Sequence, residues 1–190
     1  GANDDITITG APTTATVSLG RGITNAAGDE INFSGNVGTL ALSSTLNTEA
    51  IALDSSNVLS YGGNTLMDFA GIAVASYQHT GTGALSWVGS AATGNQTIKS
   101  TATSTTADTL TGGAGNDTLT GNEGTNTLTG GAANDTLTAN AGADSLSGGA
   151  GNDTLTAGDG ADTVTAGLGT DTVNISESTA AADVIQVTAG

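Results

Sequence analysis

The sequence predicts an all-β chain whose second half is a parallel solenoid, and three observations support this fold class. Thr, Ser, Gly, Ala and Asn dominate the 190 residues and proline occurs once, so good helix formers are few and turn and strand residues are many. Apolar and small polar residues alternate along several segments of the first half. From about residue 103 the chain repeats with a period of nine, and a short fixed period indicates a solenoid.

Residues 1–100 are predicted to form a β-rich assembly or packing unit. The segments ATVSL, TLALSS and GIAVASY alternate apolar and small polar residues with a period of two, which is typical of half-buried strands. All five aromatic residues fall between positions 33 and 87, so we expect an ordinarily packed core there. A short helix near 64–70 is an alternative to strand structure. Residues 101–190 are predicted to form the second unit, with an irregular coil at its C-terminal end.

Seven consecutive nonapeptides occupy residues 112–174 without a gap, and a partial unit, ADTLT, precedes them at 107–111. The unit GGAGNDTLT occurs twice, and the eighth position is always leucine or valine with Thr or Ser beside it. We interpret each repeat as a six-residue turn followed by a three-residue strand that points one apolar side chain inward. Two successive repeats then form one coil, with a strand on each of two facing sheets.

The sixth position of the repeat carries the candidate metal ligands. Turns on the same side of a solenoid stack at about 4.8 Å, so the sixth-position side chains of alternate repeats should approach one another. Two carboxylates about 5 Å apart repel by roughly 3 kcal/mol at an effective dielectric near 20, so the stack needs a counterion. The first stack contains Asp117, Asp135, Asp153 and Asp171, and the second stack contains Asp108, Asn126, Asp144 and Asp162.

The ligand chemistry of these turns indicates calcium. Carboxylates and turn carbonyls without histidine or cysteine form an all-oxygen site, and a flexible site rich in carbonyls favours Ca²⁺ over Mg²⁺. The four turns of the first stack should hold three ions. In the second stack Asn126 removes one charge, and only the Asp144 and Asp162 pair is complete. The prediction is therefore about four to five Ca²⁺ ions. Glu123 and Asp159 are interpreted as solvated surface acids, with compensation of the missing charge as the alternative.

The repeats resemble the RTX family, whose nonapeptide G-G-x-G-x-D-x-U-x forms a right-handed parallel β-roll with Ca²⁺ between its turns. The resemblance covers about 103–174 and implies that carbonyls of the first four turn positions are ligands beside the sixth-position carboxylate. Ala133 and Ala166 replace glycine in this pattern, which we expect to affect the turn conformation more than the carbonyl ligand. Carried over to this chain, the pattern names as carbonyl ligands Gly112, Gly113, Gly115, Gly130, Gly131, Gly148, Gly149, Gly151, Gly167 and Gly169.

Irregular coils are expected on both sides of the regular repeats. Gln96 in GNQTIK and Asp183 in ADVIQ each lie twelve residues from the nearest regular sixth position. We interpret both as parts of expanded coils that continue the solenoid. GANDDITIT at the N-terminus and GDEINFS at 28–34 resemble degraded repeat units.

Composition and charge argue against several function classes. The net charge is −16, with Arg21 and Lys99 as the only basic residues besides one histidine, so nucleic acid and anionic membranes are not expected partners. No apolar run approaches the roughly 18 residues of a transmembrane helix. The chain has one histidine, no cysteine and no G-x-S-x-G motif, so we predict no catalytic activity. His79 is expected to be a turn or partly buried structural residue, and Trp87 and the two tyrosines are expected to be core, with sugar stacking as the alternative.

A second resemblance concerns the segment TLNTEAIALDSSN at 45–57. It is similar to the L-x-x-x-E-x-L-x-L-x-x-S segments of RTX-type bacterial surface-layer proteins. This favours a protein secreted to the bacterial surface, where it assembles with copies of itself into a surface layer, filament or matrix, and the resemblance to the RTX family implies type I export. The terminal residues VTAG and GAND would join into GGAND in a head-to-tail contact. Alternatives are a calcium-stiffened segment of a large RTX adhesin and an accessory module of a polysaccharide-modifying enzyme, with cell-surface polysaccharide as a further partner.

Overall fold

The structure, a computed structural model, describes residues 6–9, 15–19, 31–34, 40–44, 51–53, 58–61, 64–68, 74–79, 84–89, 94–100, 103, 105–175 and 182–186. Side chains are described at positions 77 and 79 and, within these ranges, from residue 84 onward. Over this part of the chain the secondary structure is entirely β, and no helix long and apolar enough to cross a membrane is present.

Nineteen strands are formed by the described residues. They are β1 (Ile6–Thr9), β2 (Ala15–Leu19), β3 (Ile31–Ser34), β4 (Leu40–Ser44), β5 (Ile51–Leu53), β6 (Val58–Tyr61), β7 (Asn64–Asp68), β8 (Val74–His79), β9 (Leu85–Val88), β10 (Thr97–Ser100), β11 (Thr109–Gly113), β12 (Thr118–Thr120), β13 (Thr127–Ala132), β14 (Thr136–Ala141), β15 (Ser145–Ala150), β16 (Thr154–Asp159), β17 (Thr163–Leu168), β18 (Thr172–Asn174) and β19 (Val184–Gln186).

Two sheets contain all of these strands, and successive strands from β8 onward alternate between them. The first sheet has the order β1-β3-β7-β6-β5-β9-β11-β13-β15-β17-β19, and the second has the order β18-β16-β14-β12-β10-β8-β4-β2. From β8 to β19 every pairing is parallel, as in a parallel β-solenoid. Both sheets contain strands from before and after residue 100. The division into two units at that position stays a prediction.

Register confirms that one regular coil contains two repeats. Thr127 pairs with Ser145 and Leu137 pairs with Leu155, each 18 residues further along the chain. The expanded coils are confirmed as well. Strand β10 pairs with β12 and strand β17 pairs with β19, and both offsets are 21 residues instead of 18.

Most strands of the regular region are longer than the three residues predicted, although β12 and β18 have that length. Strands β13 to β17 each have six residues, because pairing continues into the first three positions of the next turn. Gly131, for example, pairs with Gly149 one coil away. A Cβ on Gly149, whose φ is 116°, would collide with the carbonyl oxygen of Gly131. This close backbone approach requires glycine and lets the ladder extend into the turn.

Antiparallel pairing interrupts the solenoid in the first half. Strands β5, β6 and β7 form a meander, with Ile51 opposite Tyr61 and Tyr61 opposite Asn64. The two residues between β6 and β7 are both glycine, the sequence signature of a tight hairpin. The helix considered near 64–70 was therefore wrong, since β7 occupies Asn64–Asp68. Parallel pairing is present elsewhere in this half, including β1 with β3 and β2 with β4.

An aromatic pair begins the described core. Tyr77 of β8 and Trp87 of β9 lie on facing sheets and stack with ring centroids 4.9 Å apart and an interplanar angle of 19°. Both are fully buried, which confirms that they are core residues. His79 is also fully buried and lies in a strand instead of a turn. Beyond this pair the core narrows to a row of buried aliphatic residues, Ile98, Leu110, Leu119, Leu128, Leu137, Leu146, Leu155 and Val164.

Candidate metal centre

The sixth-position aspartates point into the solenoid. Alternate residues of a strand face the same side of its sheet, so the sixth and eighth positions and the first position of the next repeat share the inner face. Asp135, Leu137 and Ala139 show this pattern, with 2%, 0% and 0% of their surface exposed. Six of the seven sixth-position aspartates are therefore buried at the start of a strand, in the same row as the leucines, and Asp171 is half-buried.

A hydrogen-bond ladder connects the aspartates of the first stack. The backbone N–H of Asp117 donates to Oδ1 of Asp135 at 2.8 Å, and that of Asp135 donates to Oδ1 of Asp153 at 2.8 Å. The N–H of Asp153 donates to Oδ1 of Asp171 at 2.9 Å, and the ladder begins at the N–H of Gln96, 2.7 Å from Oδ1 of Asp117. The structure thus brings together the four side chains that the repeat period assigned to this stack.

The second stack forms a similar ladder. The N–H of Asn126 donates to Oδ1 of Asp144 at 2.6 Å, and that of Asp144 donates to Oδ1 of Asp162 at 2.8 Å. Asp162 in turn donates its N–H to Oδ1 of Asp183 at 3.0 Å. The sequence placed Asp183 in an expanded coil but not in the ligand set. Its twelve-residue spacing was the signal that linked it to this ladder.

The second carboxylate oxygen is left without a donor in five of these aspartates. It is the buried Oδ2 of Asp117, Asp135, Asp144, Asp153 and Asp162. A buried carboxylate oxygen without a hydrogen bond costs free energy, because its lost hydration is not replaced. A cation bound beside each of these atoms would offset that cost. This is the observation that makes the turns candidate cation sites.

Backbone carbonyls lie beside these orphaned oxygens. A Cβ on Gly112 would collide with Oδ2 of Asp117 and would lie 2.7 Å from the carbonyl oxygen of Gly130 in the next coil. A Cβ on Gly130 would likewise collide with Oδ2 of Asp135 and lie 2.7 Å from the carbonyl oxygen of Gly148. Carboxylate and carbonyl oxygens therefore border the same space. An all-oxygen set of this kind fits Ca²⁺.

The carbonyls would have to supply most of the ligands. Among residues 84–89, 94–100 and 105–175, no three His, Cys, Asp or Glu side chains lie close enough together to hold an ion by themselves. The individual glycine carbonyls named from the family pattern stay predictions. Ala133, at the fourth position of its turn, has a φ of 71°, and Gly151 and Gly169 at the same position also have positive φ, at 134° and 130°.

Burial raises the pKa values of most of the sixth-position carboxyls. It raises the pKa of Asp135 to about 7, because the favourable amide of Asp117 is outweighed by desolvation and by the neighbouring charges of Asp117 and Asp153. Burial also raises the pKa of Asp144 to about 6, and the nearby charge of Asp162 adds to the effect despite the Asn126 amide. Burial raises the pKa of four further carboxyls, those of Asp108, Asp117, Asp153 and Asp162.

Two sixth-position side chains have different surroundings. Oδ2 of Asp108 accepts a hydrogen bond from Nδ2 of Asn122 at 2.8 Å, so it is not orphaned. Asn126 is fully buried and presents an amide in place of a carboxylate. The sequence identified the lost charge at Asn126 but not the part played by Asn122, which occupies a position where most other repeats have glycine.

Comparison with known proteins agrees with this chemistry. A model of four RTX calcium-binding nonapeptide repeats matches residues 103–137 and 138–173. No curated protein and no solved structure gives a significant match to the chain. The matched residues include every regular turn of the two stacks. Residues 103–173 of this chain therefore belong to the RTX calcium-binding nonapeptide repeat family, and they form its parallel β-roll.

Proposed function

We propose that this protein is a secreted, calcium-dependent structural protein that assembles with copies of itself into a surface layer or an extracellular filament or matrix. The single observation that supports calcium dependence best is the set of five buried carboxylate oxygens without donors. RTX repeats are calcium-binding structural modules and are typical of secreted proteins. The segment at 45–57, similar to surface-layer sequences, favours the structural role over the alternatives.

The orphaned oxygens also suggest where the ions bind. Three belong to the first stack and two to the second, which gives five candidate positions. Five Ca²⁺ ions would carry ten positive charges against the net charge of −16. Binding would therefore both compensate the interior carboxylates and reduce the repulsion between copies of the chain. Extracellular calcium modules typically have dissociation constants of about 10⁻⁴ to 10⁻³ M, which suits filling after export.

The C-terminal end of the roll supports self-assembly. Strands β18 and β19 are the last strands of their sheets within the described residues. Val184 and Ile185 of β19 are 53% and 45% exposed, and Leu168 in the preceding coil is 51% exposed. An unpaired strand edge with apolar side chains is a template for another chain, and a head-to-tail contact of this kind need not close. The predicted GGAND junction lies outside the described residues.

Sedimentation velocity of the full chain with and without Ca²⁺ tests the assembly. We expect Ca²⁺-dependent polymers, and Val184→Lys should shorten them by placing a charge at the open end. Thr127→Lys is the matched control, because Thr127 is exposed on the flat face of β13 in the middle of the roll. If Thr127→Lys disrupts the polymer and Val184→Lys does not, the copies associate laterally and not end to end.

A calcium-loaded chain that stays monomeric at high concentration would contradict the structural polymer. It would favour the RTX adhesin segment, in which the roll continues covalently at the same open end. Polysaccharide binding stays a separate prediction for this chain, as does the role of accessory module. Tyr77 and Trp87 do not support it, because both rings are fully buried and offer no surface for sugar stacking.

A further inference from the structure

The turn at 121–126 has a backbone unlike that of the later turns. In the next turn of the same stack, Asn140 and Gly142 have φ values of 80° and 129°. The equivalent residues Asn122 and Gly124 do not have positive φ. This turn therefore follows a different path, and its two asparagine side chains, Asn122 and Asn126, are almost entirely buried, at 2% and 0% exposure.

The Nδ2 atom of Asn126 takes the place of a carboxylate oxygen. A Cβ on Gly121 would lie 2.8 Å from Nδ2 of Asn126 and 3.0 Å from the carbonyl oxygen of Ala139 in the next coil. A Cβ on Gly112 would lie beside Oδ2 of Asp117 and the carbonyl oxygen of Gly130 in the next coil. The terminal atoms of the two sixth-position side chains thus occupy equivalent places, next to equivalent carbonyls.

Carbonyl oxygens of its own turn and of the next coil accept hydrogen bonds from Asn126. Its Nδ2 donates to the carbonyl oxygens of Gly124 at 2.7 Å and Asn122 at 3.1 Å, and a longer contact of 3.4 Å reaches that of Ala139. Its Oδ1 accepts from the N–H of Asp108 at 3.2 Å. An aspartate here would set a negative oxygen against the same carbonyl oxygens, an arrangement that needs a cation. The asparagine supplies hydrogen-bond donors instead.

Asn122 has the same effect on Asp108. Its Nδ2 donates to Oδ2 of Asp108 at 2.8 Å and to the carbonyl oxygen of Thr106 at 2.9 Å, both in the preceding coil. Its Oδ1 accepts from the N–H of Gly124 at 2.7 Å. Each side-chain atom of Asn122 that can form hydrogen bonds is therefore paired. Asp108 has no orphaned oxygen, unlike the other five buried aspartates of the two stacks.

We propose that Asn122 and Asn126 form a metal-free amide clasp, in which two side-chain amides replace the Ca²⁺ ions of a regular turn pair. The clasp joins the turns at 103–108, 121–126 and 139–144 without an ion. Calcium in the second stack is then confined to Asp144 and Asp162, and Asp108 is not a calcium ligand. The clasp keeps these coils folded when calcium is absent, so that they act as a preformed template for the calcium-dependent turns. This proposal rests on the proposed calcium-dependent function only where it concerns the turns that follow the clasp.

Hydrogen exchange of the full chain in a calcium chelator tests the clasp directly. We expect backbone amides at 122–127 to exchange at least about tenfold more slowly than those at 148–154, because hydrogen bonds replace the missing charge only in the former. Equal exchange of the two segments in chelator would overturn the proposal. If calorimetric titration finds no calcium binding by the wild-type chain, the proposed function fails, while the exchange measurement still decides whether the clasp exists.

The variant Asn126→Asp converts the clasp into a carboxylate site. It should bind one additional Ca²⁺ and lose the slow exchange at 122–127 in chelator, and calcium should restore that protection. Asn134→Asp is the matched control. Asn134 is exposed and its Oδ1 only accepts from the N–H of Asn152 at 2.7 Å, which a carboxylate can also do. An Asn126→Asp chain that behaves like Asn134→Asp would overturn the proposal.

The reverse change, from aspartate to asparagine, tests the clasp if Asn126→Asp does not fold. Asp144→Asn should extend the clasp by one turn, bind at least one Ca²⁺ fewer than wild type and gain slow exchange at 140–145 in chelator. Loss of the ion without any gain of protection would show that an amide does not replace the cation, and would overturn the proposal.

Discussion

The backbone N–H of Asp117 donates a hydrogen bond to Oδ1 of Asp135, one coil further along the chain, at 2.8 Å. This bond ties successive coils together but uses only one oxygen of each carboxylate. The other oxygen, Oδ2, is buried without a donor. The ladder thus fixes the aspartates in position and leaves a row of uncompensated charge inside the roll.

Calcium removal should unfold the later coils. With chelator at low salt, we expect the far-ultraviolet circular dichroism of the full chain to lose much of its β signal, because repulsion and desolvation of the carboxylates are no longer offset. Adding Ca²⁺ should restore it. Mg²⁺ at the same concentration is the control and should restore little, because it requires a smaller, more rigid octahedral site. An unchanged spectrum in chelator would contradict the argument from repulsion.

Replacing Asp135 by alanine should weaken calcium binding and stability together. The change removes the acceptor for the Asp117 N–H and one carboxylate between two neighbours, so we expect more than one ion to be lost. We also expect a loss of about 2 to 3 kcal/mol in the free energy of unfolding in saturating Ca²⁺. Calorimetric titration and thermal unfolding measure both effects. Glu123→Ala is the control, because it removes the same charge from an exposed side chain. Equal ion loss in the two variants would refute the assignment.

Stability without calcium should fall as pH rises. Burial raises the pKa of Asp135 to about 7 and that of Asp144 to about 6 in the folded chain, above the usual 3.8. The folded state therefore binds more protons than the unfolded state between these values, and the free energy of unfolding decreases as pH rises from about 4 to about 7. In excess Ca²⁺ the trend should reverse, because the ion requires deprotonated ligands. Urea titrations in chelator at pH 5 and pH 7.5 measure the sign, and higher stability at pH 7.5 would contradict it.

Ala133→Gly should stabilise the roll. Ala133 has a φ of 71°, a left-handed conformation that costs a residue with a Cβ roughly 1 kcal/mol relative to glycine. Relief of this strain exceeds the entropy that glycine adds to the unfolded chain, so we expect a small net gain, measured as a rise in the urea midpoint. Ala132→Gly is the control, because Ala132 is exposed in β13 without positive φ and should lose stability. Equal midpoints for the two variants would show that no strain is stored at Ala133.

Much of the calcium-binding region follows from the sequence alone. A fixed period of nine with an aliphatic eighth position determines the solenoid, two repeats per coil, and which aspartates share a stack. These are consequences of chain geometry that repeat identically in every unit. Even the expanded coils at Gln96 and Asp183 follow from counting residues between sixth positions. The RTX family is identified by the same pattern.

Other features were decided only by the tertiary structure, because they depend on contacts between coils. Each orphaned Oδ2 of the first stack is buried beside a carbonyl of the next coil, as that of Asp117 is beside Gly130, and this burial exists only when the coils stack. In the first half, no period fixed the pairing, and the antiparallel meander of β5 to β7 results from contacts that alternation cannot specify. Asn122 shows the limit most clearly. Its importance depends on Asp108, which lies 14 residues earlier in sequence and becomes its neighbour only when one coil stacks on the next.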